Sequence, residues 1–80
     1  MITVKLYELL QERSLSGKER YEVAFQEGMT PLDLMRREGF TGEEAQAILP
    51  IVNDEQAARD QPLNDGDRVE LVMAMVGGAF

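Results

Sequence analysis

Residues 62–72 read Pro62-Leu63-Asn64-Asp65-Gly66-Asp67-Arg68-Val69-Glu70-Leu71-Val72, and this stretch decides the fold. Asn64-Asp65-Gly66-Asp67 is a run of turn formers, the signal for a tight turn between extended segments. It launches a strand from Arg68 to Met73, in which Val69, Leu71 and Met73 share one face by the two-residue period of extended chain. This is the closing strand of a sheet.

At the other end of the chain, Ile2, Val4 and Leu6 alternate with Thr3, Lys5 and Tyr7, which predicts a first strand with one aliphatic face. The segment Ser14-Leu15-Ser16-Gly17-Lys18 supplies turn chemistry. Tyr21, Val23 and Phe25 then alternate with Glu22, Ala24 and Gln26 as a second strand, so the two should form a hairpin.

Thr30-Pro31-Leu32-Asp33 has an N-cap residue, a proline at the first helical position and an acid in the first turn. A helix is expected from Pro31 to about Glu38, with Leu32, Leu34 and Met35 on its apolar face and Gly39 as its left-handed terminator. Thr41-Gly42-Glu43-Glu44 has capping-box spacing, so a short helical turn over Glu43 to Ala47 should come next, ended by Pro50. Ile51 and Val52 start a short strand, Asn53-Asp54-Glu55 turns it, and Gln56 to Arg59 return as an edge strand.

Strand, strand, helix, short strands, strand is an α+β order, with one main helix packed on one face of a mixed sheet. Because the helix comes after a hairpin, the closing strand can lie beside the first strand and run parallel to it. That is the β-grasp, or ubiquitin-like, arrangement. Residues 1–73 form this domain, and residues 74–80 form a tail in which Gly77 and Gly78 leave no side chain to anchor the backbone, so mobility is expected there.

Composition narrows the chemistry. Eighty residues make one domain, and 44% hydrophobic residues supply its core. There is no cysteine and no histidine, which removes thiol nucleophiles, thiolate metal sites and the commonest general base. No pair of residues makes a nucleophile and base, so no catalytic residue and no enzyme activity are expected. Fifteen acidic residues against eight basic ones give a net charge of −7, which repels nucleic-acid phosphates and anionic membrane surfaces and favours a basic or mixed protein partner.

Glu43, Glu44, Asp54, Glu55, Asp65 and Asp67 fit no calcium-loop spacing and each has a capping or turn role, so no metal site is expected. Lys5 and Glu8 interrupt the apolar start, which is therefore no signal peptide, and the longest apolar run is too short to span a bilayer. The expected location is the cytoplasm.

Three features coincide: the opening strand Met1-Ile2-Thr3-Val4-Lys5-Leu6-Tyr7, the turn and strand of residues 62–72, and the glycine pair Gly77-Gly78 just beyond that strand. Together they resemble the ThiS and MoaD sulfur-carrier family. The resemblance implies a chain that needs no cofactor of its own. A ubiquitin-activating-type adenylyltransferase, using ATP and magnesium, adenylylates the terminal glycine carboxylate, which then becomes a thiocarboxylate.

By this resemblance Gly78 carries the sulfur, Gly77 and Val76 are recognised by the partner, and the glycines thread a narrow channel whose walls would clash with a Cβ there. Five residues from Ala74 to Gly78 reach about 17 Å when extended, enough to cross a partner's surface. Usual family members end at the second glycine, whereas Ala79 and Phe80 extend the chain here. The resemblance to carriers with such an extension implies that a JAMM-type zinc metalloprotease cleaves the Gly78–Ala79 bond first. A downstream synthase then accepts the sulfur, for thiamine, molybdopterin or another sulfur-bearing product.

Tyr7, Val72 and Ala74 fall on the sheet face opposite the aliphatic set, where they form a candidate apolar patch for the activating enzyme. Two other classes fit the same chain. A ubiquitin-like protein modifier would be activated identically but joined to a target lysine. A β-grasp interaction module would keep its partner when Met75 to Phe80 are removed.

Overall fold

The structure is a computed structural model that describes residues 1–74. The elements run β1 (Ile2–Leu6), α1 (Glu8–Arg13), β2 (Arg20–Val23), α2 (Pro31–Arg37), α3 (Gly42–Gln46), β3 (Ile48–Val52), β4 (Glu55–Gln56) and β5 (Arg68–Met73). They build one five-stranded mixed sheet in the order β2-β1-β5-β3-β4. β1 and β2 pair antiparallel, as the alternation of both segments implies. β5 lies parallel to β1, Val4 opposite Val69 and Leu6 opposite Leu71, which is the β-grasp arrangement.

Ile2, Val4, Leu6, Val69 and Leu71 send their side chains to one face of the sheet, where they are buried with Leu34 and Met35 of α2, Phe40 and Ile48. Each such side chain contributes roughly 1.5–3 kcal/mol on leaving water. α2 is held at its start by a reciprocal cap: the Thr30 hydroxyl accepts from the Asp33 N–H at 3.3 Å, and the Thr30 N–H donates to Asp33 Oδ2 at 2.9 Å. Gly39 ends this helix with φ +84°, a conformation a Cβ disfavours.

Four stretches differ from the sequence expectation. The β1–β2 connection contains α1, which was not expected: six residues are too few to show a helical period. α1 is stable because Leu10, 1% exposed, is anchored in the core. β2 stops at Val23, although Phe25 still packs against the core. At α3, the Thr41 side chain makes no capping bond.

The fourth difference lies in the 48–59 stretch. Pro50 does not end a helix but sits inside β3, which begins at Ile48. Its carbonyl accepts from the Ala57 N–H at 3.0 Å, on the β4 flank, and in an antiparallel strand the missing N–H falls on that same flank. The ladder to β5 therefore loses nothing. β4 has only Glu55 and Gln56, because Arg59 turns away and its Nε donates to the Ala45 carbonyl at 2.9 Å, capping the end of α3.

Candidate functional site

The second face of the sheet is built from the alternate residues of the same strands. On β1 and β5, Thr3 pairs with Arg68 and Lys5 with Glu70; on β3 and β5, Ile51 pairs with Glu70 and Leu49 with Val72. Along β5 toward its end, the face therefore grades from polar (Arg68) through mixed (Glu70) to apolar (Val72). Tyr7 comes directly after β1 and Ala74 directly after β5 at this apolar end, and Tyr7 and Val72 line one groove there.

Tyr7 is 39% exposed, and two neighbours fix its ring. Its hydroxyl donates to Glu70 Oε1 at 3.2 Å, and Lys5 Nζ lies 4.7 Å from the ring centroid, a cation–π contact. Beside it opens an apolar groove of about 300 Å³, lined by Tyr7, Leu9, Leu10, Val72 and Met73. Leu9 is 60% exposed at its rim. The Ala74 N–H donates to the Ala47 carbonyl at 2.7 Å, so the chain leaves the sheet at a fixed point next to this groove. Val76, Gly77, Gly78 and Ala79, the expected tail and processing positions, lie outside the described residues.

Sequence reasoning named Tyr7 and Val72, which line this groove, together with Ala74, and did not name Leu49 and Ile51 of the open face or Leu9 of α1. The signal for Leu49 and Ile51 was the unbroken apolar run Ile48-Leu49-Pro50-Ile51-Val52, the mark of a strand with neighbours on both sides. Pro50 masked it. Leu9 carried no signal, because a lone leucine in a single helical turn belongs to either side.

The acidic residues act structurally. Asp67 Oδ2 accepts from the Asn64 N–H at 2.8 Å, closing the Asp65-Gly66 turn, and Oδ1 accepts from Asn53 Nδ2 at 2.9 Å. Asp54 pairs with Arg68 at 3.0 Å. Among the described residues no group of three or more acidic, histidine or cysteine side chains is placed to hold a metal ion. Glu38, 3% exposed, accepts from the Ser16 N–H and hydroxyl at 2.9 and 2.8 Å and so ties the loop after α1 to the end of α2. Burial, and then the neighbouring Glu38 carboxylate, push the Tyr21 hydroxyl above its ordinary range.

The sequence matches the ThiS family over residues 5–78. The chain belongs to the ThiS family. It is thus a small ubiquitin-like sulfur carrier and not an enzyme. No curated protein matches it. Solved structures share the fold, among them the three that follow. SAMP1 from Haloferax volcanii is 22% identical with a TM-score of 0.71, over 96% of this chain and 98% of that one.

The molybdopterin converting factor subunit 1 described from Pyrococcus furiosus is 21% identical with a TM-score of 0.67, over 91% and 95%. A chain of the BexX/CysO complex from Amycolatopsis orientalis is 24% identical with a TM-score of 0.63, over 98% and 100%. At such identities the likeness is one of fold. For this ThiS-family chain, no helix among the described residues is long and apolar enough to cross a membrane.

Proposed function

We propose that this carrier works through Gly78, after hydrolysis of the Gly78–Ala79 bond by a JAMM-type metalloprotease removes Ala79 and Phe80. The observation that carries this reading is where the family match ends, at residue 78, the second glycine, leaving two residues beyond it. An adenylyltransferase of the ubiquitin-activating type then joins the freed Gly78 carboxylate to the α-phosphorus of ATP and releases pyrophosphate. Sulfide attacks the resulting mixed anhydride at its carbonyl carbon and expels AMP, leaving the thiocarboxylate. ATP and magnesium belong to the partner, and this chain contributes the acyl group.

Docking falls to the apolar end of the open face. Support for a docking surface of Tyr7, Val72 and Ala74 comes from Tyr7 and Val72 lining one groove and from Leu49 pairing with Val72 near the end of β5. A partner seated there receives the tail at once, with Val76 and Gly77 in its channel. The BexX/CysO neighbour was solved as a complex, which supports a protein partner for this fold, here a synthase that accepts the sulfur for thiamine, molybdopterin or a related product.

The test is the intact mass of the protein after incubation with lysate of its own organism, ATP and sulfide. The expected result is loss of the Ala79 and Phe80 residues, then exchange of one oxygen for sulfur at Gly78. Persistence of the full-length mass with active protease and adenylyltransferase present would overturn it.

A further inference from the structure

β5 has a strand on each side, and toward its end both neighbours give way to helices. On the β1 side, the Tyr7 N–H donates to the Leu71 carbonyl at 3.3 Å, and the next residue, Glu8, opens α1. On the β3 side, the ladder runs through Ile48 opposite Met73 and one step further, to the 2.7 Å bond from the Ala74 N–H to the Ala47 carbonyl. Gln46, the residue before Ala47, is already the last of α3. The root of the tail is therefore held through Ala47.

Ala47 is held in turn from the helix side. Its N–H donates back to the Glu43 and Glu44 carbonyls at 3.2 and 3.1 Å, so Ala47 keeps its place only as long as the end of α3 does. α3 has five residues, too few to stand alone, and its last carbonyls need donors from outside the helix. Arg59 supplies them: Nε donates to the Ala45 carbonyl at 2.9 Å, and Nη2 donates to the Gln46 carbonyl. The rigid guanidinium fork takes both carbonyls at once, which a compact ammonium does less well. Arg59 is itself fixed, because its own carbonyl accepts from the Leu32 N–H at 2.9 Å in the capped first turn of α2. A chain of bonds thus runs from α2 through Arg59 and the end of α3 to Ala47 and Ala74.

We propose that Arg59 is the positioning residue for the carrier's tail. By clamping the end of α3 it holds the Ala47 carbonyl where the Ala74 N–H meets it, and so fixes the origin from which the residues beyond Ala74 are presented to the activating partner. A fixed origin removes part of the ordering cost of each productive encounter. The clamp stands on these bonds alone, and only its service to activation rests on the carrier reading.

The experiment is amide hydrogen exchange, read by NMR, on the 80-residue chain and on Arg59→Ala and Arg59→Lys. It is followed by adenylylation kinetics of the same three proteins trimmed to Gly78, read as pyrophosphate release by the adenylyltransferase of the same organism. Arg59→Ala should quicken exchange at Ala74 by about tenfold, the scale of one well-made hydrogen bond, while the amides of β1 and of the middle of β5 keep their rates. Arg59→Lys should recover part of the protection. In the kinetics the KM for Arg59→Ala should rise by about threefold or more with kcat unchanged, because presentation and not chemistry is impaired.

Equal exchange at Ala74 in all three proteins would overturn the clamp. So would a quickening that spreads through β1 and β5, which would make Arg59 a plain stabiliser of the fold. A looser Ala74 with an unchanged KM would overturn its service to activation. If none of the proteins is adenylylated, wild type included, the carrier reading fails, while the exchange at Ala74 still decides the clamp.

Discussion

Leu71 and Val72 are neighbours on β5 and belong to different worlds. Leu71 is fully buried opposite Leu6 and Pro50, whereas Val72 is only half-buried, opposite Leu49 on a face where its other neighbours are Tyr7 and Glu70. The pleat turns one residue toward the core and the next toward the open face. An apolar residue on the packed face therefore contributes to stability, and one on the open face is free to serve recognition. Polar groups divide in the same way: Glu70 is bonded at the surface by Tyr7, while the Tyr21 hydroxyl on the packed side is buried with no hydrogen-bond partner.

The contrast between the faces breaks most visibly at Leu71. Leu71→Ala leaves a cavity in the sheet centre and should cost roughly 2–5 kcal/mol, read as a fall in the urea midpoint with the slope unchanged. A loss below about 1 kcal/mol would mean that the two faces are not as unlike as the burial implies.

Val72→Lys should do the reverse. Its long stem can lie along the surface, so stability should change by about 1 kcal/mol or less. Binding of the activating partner should weaken by about tenfold or more, the scale of a central interface anchor, in titrations of the purified pair. Equal binding by the variant would remove Val72 from the docking surface.

The smallest effect is expected at Tyr21. Tyr21→Phe deletes a buried hydroxyl without a partner and should leave stability near neutral pH within about 1 kcal/mol. At alkaline pH the two proteins should part. The folded-state hydroxyl is raised above its ordinary value of 10.0, so Tyr21 ionises first in the unfolded chain. Its stabilisation is fully present below that pH and is lost as pH rises from there through the folded-state value. Denaturation curves across this range should show one alkaline component fewer in the variant, and parallel curves would place Tyr21 in contact with solvent.

Much of this molecule was legible in the chain because the signals were local. The alternation of residues 2–7 and 68–73 assigned both central strands and the face of their side chains. Thr30, Pro31, Asp33 and Gly39 marked the limits of α2 by groups that bond within a single turn. The glycine pair and the two residues after it were visible as text alone.

What the sequence could not disclose depended on distant partners. α1 is one short stretch whose stability comes from Leu10 meeting the core, and a six-residue segment has no period of its own to announce it. Pro50 reads as a breaker until the neighbouring strands show that its absent N–H points away from β5. The groove beside Ala74 exists only because α1 and the ends of β1 and β5 converge there. The sequence thus determined which residues face which way, since that is dictated by backbone period. The tertiary structure decided which of them stand together, since that is dictated by packing between elements far apart in the chain.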